Sequence, residues 1–149
     1  MFRSKFVQLK KGNRDWVQAE LNEGLTPKVL KLFRDTWVEK LEKKNASDAH
    51  WKWPEFWRDY KNEKSQFLSL ECESDLQGLI WLDYSGIPSR LGVGQPLVYV
   101  QRVSVAPWNR TDFGSRRFQP VGMVLLREAI EFSMDLGWSG RVGLQQFSF

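Results

Sequence analysis

Two adjacent arginines, Arg116 and Arg117, stand just before the strongest helix signal of the sequence. Residues 121–136 carry apolar side chains at helical spacing, and Gly137 follows as a C-terminal cap. The first turn of a helix has unpaired N–H groups and a partial positive charge, so it attracts anions, and neighbouring arginines strengthen that attraction. A phosphate or pyrophosphate is the ligand that this segment favours. The same residues also fit a solvated arginine pair before an ordinary core helix, and both interpretations stay open at this point.

The composition indicates one folded domain with an aromatic interior. The chain has 149 residues, of which 42% are hydrophobic and 14% aromatic, including eight tryptophans and ten phenylalanines. Such side chains fill a core or line a cleft for an apolar substrate. This length and composition fit a single domain over residues 1–149, in which residues 1–64 form an N-terminal strand and helices and residues 65–149 form the sheet and the binding core.

Charge and hydropathy exclude several classes of protein. Lys plus Arg exceeds Asp plus Glu by 22 to 18, which gives a net charge of +4. This excess is too small and too scattered to mark a nucleic-acid binder. The sequence shows no charged-then-apolar leader and no apolar run close to the ~20 residues of a membrane span. We therefore expect a soluble, cytoplasmic protein.

The single cysteine and the single histidine exclude two further kinds of site. Cys72 alone cannot form an intramolecular disulfide, and Cys72 with His50 cannot supply the usual ligands of a zinc ion, so we expect no metal. Cys72 also belongs to an alternating apolar stretch, which favours a small core residue over a nucleophile.

The order of predicted elements indicates a mixed sheet. The elements are a strand at residues 6–9, a short helix at 15–21, a longer helix at 27–41 with Thr26 as N-cap, a hairpin of strands at 67–73 and 77–84, a strand at 97–105, the helix at 121–136 and a strand at 141–145. A strand–helix–strand order favours a right-handed crossover between parallel neighbours, whereas the hairpin is antiparallel. Helices then pack on the sheet.

The C-terminal half, roughly from Leu97 to Phe147, resembles the coenzyme-A-binding core of GNAT-type N-acetyltransferases. Residues 103–107, Val-Ser-Val-Ala-Pro, are similar to the end of that family's fourth strand. Arg117 and Gly122 fit the first and last positions of its fingerprint, Gln/Arg-x-x-Gly-x-Gly/Ala. Residues 106–110, Ala-Pro-Trp-Asn-Arg, and residues 140–144, Gly-Arg-Val-Gly-Leu, are similar to one bacterial branch of these enzymes.

The resemblance implies an α+β fold with a mixed, mostly antiparallel sheet and helices on both faces. It also implies acetyl-CoA as the cofactor, whose pantetheine arm enters a gap where a bulge splays the family's fourth strand from its fifth. The residues implied to bind coenzyme A are the strand residues Val103, Ser104 and Val105, the arginines Arg116 and Arg117, and the helix-start residues Phe118, Gln119, Val121, Gly122 and Met123.

The sequence departs from the family's pattern at three places. Pro120 stands where the middle glycine of the fingerprint is usual and removes one N–H donor, although proline suits the first turn of a helix. Gln101 occupies the position of a glutamate base in that branch, and an amide cannot usefully accept a proton near neutral pH. The chain stops at Phe149, before the family's later helix, whose tyrosine protonates the leaving thiolate, and before its last two strands. Tyr99 is a nearby candidate for a polar catalytic role, or a buried tyrosine with a structural partner.

This ending predicts an open sheet edge at residues 141–147. An unpaired apolar edge invites pairing with another chain. We therefore expect a homodimer or a complementing polypeptide at this edge, unless the N-terminal aromatics fold over it and leave a monomer.

Three functions fit these residues. The first is an acetyl-CoA-dependent N-acyltransferase that transfers an acetyl group to a small-molecule or protein amine, with deprotonation through water. The second is a GNAT-fold module that binds acyl-CoA without turning it over, which Gln101 and the missing C-terminal elements favour. The third is a basic nucleic-acid-associated protein whose aromatics stack on bases. Residues 45–60, dense in aromatics, are either a loop packed by its own tryptophans or one wall of an acceptor pocket.

Overall fold

Strands from both halves of the chain form one seven-stranded sheet. The computed structural model describes residues 4–12, 14–89 and 94–144. Its strands are β1 (Ser4–Lys11), β2 (Trp16–Glu23), β3 (Ser65–Cys72), β4 (Asp75–Asp83), β5 (Val98–Val105), β6 (Phe118–Gln119) and β7 (Val142–Leu144). Its helices are α1 (Pro27–Thr36), α2 (Val38–Lys43), α3 (Trp53–Tyr60) and α4 (Val121–Asp135). The strands are arranged in the order β6-β1-β2-β3-β4-β5-β7.

The mixed sheet confirms the fold that the sequence predicts. All neighbouring strands are antiparallel except β5 and β7, which run parallel and are joined through α4. The predicted hairpin is β3–β4, and the predicted crossover is β5–α4–β7. Gly137, with a φ of 81°, ends α4 as expected.

The helix predicted at residues 15–21 is wrong, because this segment is strand β2. Its apolar side chains alternate along the strand, with Val17, Ala19 and Leu21 packed on one core, which is the periodicity of a strand and not of a helix. Asp15 does not cap a helix; its carbonyl oxygen accepts a hydrogen bond of 2.9 Å from the N–H of Lys11 and closes the turn from β1. The sheet therefore begins in the N-terminal segment and is not confined to residues 65–149.

The helix predicted at residues 27–41 is present but interrupted. The hydroxyl of Thr26 accepts a hydrogen bond of 3.2 Å from the N–H of Val29, which confirms the predicted N-cap, and Pro27 opens α1. Trp37 separates α1 from α2. Its side chain is fully buried and its indole N–H donates to the carbonyl of Leu76 at 3.0 Å, so it anchors both helices to β4.

Two cores cover the two faces of the sheet, as predicted. One core lies between the sheet and α4, and includes Leu68, Leu70, Ile80, Leu125 and Phe132. The other lies between the sheet and helices α1 to α3, and includes Val29, Trp37, Trp53, Phe67 and Trp81. A site near β5 is therefore bounded by α4 on one side and by the N-terminal helices on the other.

β7 is the outer strand of the sheet beside β5. The predicted strand at 141–145 and the predicted edge at 141–147 extend past Leu144 into residues 145–149, which lie outside the described residues. Association through this edge stays a prediction, which light scattering at micromolar concentration tests. Within the described ranges, no helix is long and apolar enough to cross a membrane.

Candidate active site

A β-bulge interrupts the pairing of β4 with β5 at Gln101. Trp81 pairs with Arg102, whereas the next residue, Leu82, pairs with Val100, so Gln101 is an extra residue on β5. A bulge reverses the alternation of side chains beyond it. For this reason the valines on both sides of the bulge share the α4 face of the sheet, namely Val98, Val100, Val103 and Val105.

The main chain of β5 beyond the bulge offers polar groups on its outer side. The N–H of Ala106, just after β5, donates to the carbonyl of Gln77 on β4 at 2.9 Å. This bond fixes which alternate residues of β5 form hydrogen bonds to β4. In an antiparallel ladder these residues alternate, so Ser104 bonds to β4 while Val103 and Val105 direct their main-chain groups away from it. Ser104 is thus engaged by β4, and two of the three predicted strand residues remain for a ligand.

The described part of β7 leaves this outer side open. Its three residues pair with Val98, Tyr99 and Val100, and stop before the bulge. Tyr99 lies between two strands, opposite Asp83 on β4 and Gly143 on β7. The splay that the resemblance implies between β5 and the next strand concerns residues 145–149, outside the described part of the chain.

A buried ion pair supports the end of β5. Both guanidinium Nη atoms of Arg110 donate to the carboxylate of Asp48, at 2.8 and 2.6 Å, and the hydroxyl of Ser104 donates to the same carboxylate at 2.9 Å. The Nε of Arg110 donates to the carbonyl of Val105 at 2.8 Å, which occupies one of the outward groups of the strand. The exposed fraction is 2% for the Asp48 side chain and 7% for that of Arg110. The pair therefore connects the loop after α2, strand β5 and the turn that leads to α4.

A cavity of about 340 Å³ opens at the start of α4. Seven of the predicted cofactor-binding residues line it, namely Val105, Arg116, Phe118, Gln119, Val121, Gly122 and Met123. The first hydrogen bond of the helix runs from the N–H of Val124 to the carbonyl of Pro120, at 3.1 Å. The N–H groups of the three preceding residues have no partner within the helix, and Pro120 has no side-chain donor or acceptor to cap them. These three amides are therefore free hydrogen-bond donors beside the cavity.

Two of the predicted amide donors are already used inside the protein. The N–H of Phe118 donates to Asn109 Oδ1 at 2.8 Å. Gln119 lies opposite Lys10 in the antiparallel β1–β6 pair, and the N–H of Gly12 donates to the carbonyl of Arg117 two residues away. Because every second residue of such a pair is hydrogen-bonded, the main chain of Gln119 bonds to Lys10. A pyrophosphate in the cavity would therefore rely on the other predicted amides, although both residues still line the cavity.

The two arginines before α4 have different surroundings. Arg116 lines the cavity and is exposed. The guanidinium of Arg117 lies 5.0 Å above the ring of Trp108, and its Nη1 lies 3.7 Å from Asp75 Oδ2. Arg116 is thus the arginine available to an anion in the cavity, whereas the fingerprint singles out Arg117.

A buried glutamine holds the turn before α4 in place, and sequence reasoning missed it. Gln77 is fully buried; its Oε1 accepts hydrogen bonds from Asn109 Nδ2 at 2.8 Å and Trp108 Nε1 at 2.9 Å, and its Nε2 donates to the carbonyl of Cys72 at 3.0 Å. Gln77 and Asp48 lie far from the motif in sequence and belong to no local pattern. Gln77 stands out only as a polar residue in an otherwise apolar strand, whereas Asp48 lies in a polar segment with no comparable signal.

Polar groups surround Gln101 on the α1–α3 side of the sheet. The Nε2 of Gln101 donates to Asp83 Oδ2 at 3.2 Å, and its carbonyl accepts a bond of 2.7 Å from Arg102 Nη1. The guanidinium of Arg102 lies 5.2 Å from the ring centroid of Trp51 and 5.8 Å from that of Phe56. Part of the 45–60 segment therefore lies beside the bulge, and its role as a wall of the acceptor pocket stays a prediction.

Solved structures share this architecture. A transcriptional regulator from Bacillus halodurans C-125 aligns with 14% identity over 86% of this chain and 81% of its own, with a TM-score of 0.59. The aminoglycoside acetyltransferase AAC(6')-Iy, solved in complex with CoA, aligns with 11% identity over 85% and 78%, with a TM-score of 0.54. The aminoglycoside 6'-N-acetyltransferase AAC(6')-IG from Acinetobacter haemolyticus aligns with 12% identity over 85% of this chain and 78% of its own, with a TM-score of 0.55.

These comparisons establish the class of fold. The chain has the fold of the GNAT N-acetyltransferases. No model of a protein family matches the sequence, and no curated protein matches it. At such low identities the shared architecture concerns the backbone, so the acceptor and the activity are matters for the residues themselves.

Proposed function

We propose that this protein is an acetyl-CoA-dependent N-acetyltransferase acting on an amine. The observation that carries the proposal is the position of the cavity at the start of α4, next to the part of β5 that no described residue of β7 pairs with. Free amides at a helix start, beside outward main-chain groups of β5 that β4 does not use, suit a ligand with a charged end and a long amide-containing arm.

The residues present fit coenzyme A in its charged part. The unpaired amides of Val121, Gly122 and Met123 would donate to the pyrophosphate, and Arg116 would add a positive charge beside them. Glycine at position 122 suits close approach, because a Cβ there would meet only Val105 Cγ2, at 3.8 Å, and would otherwise extend into the cavity.

The strand residues fit the arm of coenzyme A. The outward main-chain groups of Val103 and the N–H of Val105 would bind its amides, since β4 does not use them. The bulge at Gln101 lies four residues from Val105, or about 13 Å along an extended strand. When bound, acetyl-CoA would supply an activated acetyl group as a thioester.

A second function is favoured by the residue at the bulge. Gln101 cannot act as a base, so the protein could hold acyl-CoA as a binding or regulatory module without rapid turnover. The two functions share the cofactor and differ in thiol release from acetyl-CoA in the presence of amines.

Calorimetric titration with coenzyme A tests the cofactor in both functions. We expect saturable binding by the wild type and about tenfold weaker binding by Gly122→Ala, equal to ~1.4 kcal/mol. Alanine at this helical position should not lower the melting temperature, because it favours the helix and meets no close neighbour. No heat from folded wild type at millimolar coenzyme A would reject both functions. A thiol-release assay with acetyl-CoA and a panel of amines then separates them.

A further inference from the structure

Two opposite charges flank the bulge without pairing with each other. Gln101 holds both: its side-chain amide donates to Asp83, and its main-chain carbonyl accepts from Arg102. A buried carboxylate and guanidinium can form an ion pair, as Asp48 and Arg110 do. Here no ion pair joins them among the described residues.

Both side chains lie on the same face of the sheet. Asp83 follows Leu82, which belongs to the α4 core, so Asp83 projects to the opposite side, with Trp81. Arg102 precedes Val103 of the α4 core and likewise projects to the α1–α3 side. The two charged groups therefore lie on the side of the sheet that faces the N-terminal helices, and both contact Gln101.

Two aromatic rings and one hydrogen bond position Arg102, and one of its donors is unused. The rings of Trp51 and Phe56 contact its guanidinium, and Nη1 is bound to the carbonyl of Gln101. Its Nε is buried and has no hydrogen-bond acceptor among the described residues. Unused donors on a planar, permanently charged group are costly, and a carboxylate or phosphate would satisfy them in pairs.

Asp83 is likewise fixed in place with unused acceptor capacity. Its Oδ1 accepts a bond of 2.8 Å from the N–H of Ser85, and its Oδ2 accepts from Gln101 Nε2. A carboxylate has about four acceptor positions, so two remain. Both of its present partners are neutral, and within the described ranges no Lys or Arg forms an ion pair with it.

We propose that Asp83 and Arg102 form the acceptor subsite for a dipolar primary amine, with its ammonium on Asp83 and its anionic group on Arg102. This inference rests on the proposed function, since it names the class of acceptor for the same site. A ligand with both charges satisfies each residue. A simple cation would be attracted by Asp83 but repelled by Arg102. A simple anion would be attracted by Arg102 but repelled by Asp83. Because Gln101 and the aromatic rings hold both groups beforehand, little ordering is required on binding.

Binding of matched ligands to the full chain tests the subsite without requiring turnover. The probes are ω-amino acids of two to six carbons, with the alkylamine and the alkyl carboxylate of each length, titrated by calorimetry and by tryptophan fluorescence. We expect at least one amino acid to bind about tenfold or more tightly than both of its matched probes. Arg102→Gln should remove its advantage over the amine, and Asp83→Asn its advantage over the carboxylate.

Two controls separate recognition from folding. Arg34→Gln and Asp35→Asn change an exposed pair of the same types on α1 and should leave all affinities unchanged. If Arg102→Gln does not fold, Arg102→Lys keeps the charge but not the planar fork, and should weaken amino-acid binding while sparing amine binding.

The inference is overturned if no amino acid binds the wild type at 10 mM, or if the matched amine binds as tightly and Arg102→Gln has no effect. Its failure is distinguishable from that of the proposed function. Coenzyme A binding without amino-acid binding rejects this inference alone, whereas amino-acid binding without coenzyme A binding rejects the proposed cofactor and keeps the subsite.

Discussion

Arg116 and Arg117 are neighbours in the chain, but only one of them faces the cavity. We expect Arg116→Ala to weaken coenzyme A binding by about tenfold, the scale of one charge-assisted contact, ~1.4 kcal/mol. Arg117→Ala should change it less than about twofold, because Arg117 does not line the cavity and lies against Trp108. Calorimetry at low and high salt measures both variants, and salt should reduce the Arg116 effect. Equal losses, or a larger loss for Arg117, would contradict this assignment.

Glu128 is a buried carboxyl whose charge opposes folding. Burial raises the pKa of this side chain, although Lys5 Nζ lies 2.7 Å from its Oε1 and acts in the opposite direction. Burial alone would lower the pKa of Lys5, but its bonds to Glu128 and Glu131 outweigh this and raise it, so Lys5 stays charged. Since the pKa of Glu128 is higher folded than unfolded, stability is lost as pH rises from its ordinary value, about 4.3, through the raised folded value.

We therefore expect Glu128→Gln to gain stability relative to wild type as pH rises from 4 to 7. Urea unfolding at several pH values in this range measures the difference. Glu131→Gln is the matched control, since Glu131 contacts the same lysine but is 47% exposed, and its difference should vary less with pH. A difference for Glu128→Gln that is independent of pH would show that the carboxyl titrates normally.

At the scale of elements, the position of α4 depends on the absence of a side chain on β4. A Cβ on Gly78 would lie 2.8 Å from Leu125 Cδ1 and 2.9 Å from Val121 Cγ1, closer than such contacts allow. We expect Gly78→Ala to lower the free energy of unfolding by about 1–3 kcal/mol. It should also weaken coenzyme A binding, because Val121 begins the helix that carries the free amides. Urea denaturation and calorimetry measure these effects.

Gly122→Ala serves as the control for this substitution, since it adds the same methyl group to α4 without a clash. The two alanine variants should both weaken coenzyme A binding but should differ in their effect on stability. Gly78→Ala should lower the free energy of unfolding and, because it displaces the start of α4, should also weaken binding. Gly122→Ala should weaken binding without lowering stability. An unchanged unfolding midpoint for Gly78→Ala would show that β4 and α4 can separate without cost.

At the scale of the whole molecule, the one cysteine reports on global opening. Cys72 is 4% exposed, its thiol donates to the carbonyl of Gln18 at 3.5 Å, and burial raises its pKa, which lowers the reactive thiolate fraction. We expect native protein at pH 8 to react with iodoacetamide on the order of 10³ times more slowly than urea-unfolded protein, because reaction requires opening of the α4 core. Coenzyme A should slow it further if it binds the folded state. Reaction at the unfolded rate would show that the sheet opens locally at β3.

The sequence by itself determined the elements whose signals are local. Thr26 and Pro27 define the start of α1, Gly137 ends α4, and the strand–helix–strand order around α4 implies the parallel β5–β7 pair. Each of these follows from dihedral preferences or from the handedness of a connection, which need no distant partner. For the same reason the resemblance located the helix start that lines the cavity. The prediction of a helix at residues 15–21 was wrong because it relied on Asp15 as a local capping signal. The strand found there, β2, is stabilised by its neighbouring strands, which the local sequence does not show.

Only the tertiary structure decided which groups of the site are free. The amide of Phe118 is used by Asn109, and Arg117 lies against Trp108 and near Asp75 and does not line the cavity, so the groups available there are a subset of those in the motif. Asp48 and Arg110 are 62 residues apart, and no local pattern connects them. The bulge that brings Gln101 between Asp83 and Arg102 arises from strand register, a property of two segments together. Hydrogen bonds and charges are shared between distant residues, and their availability is therefore a property of the fold.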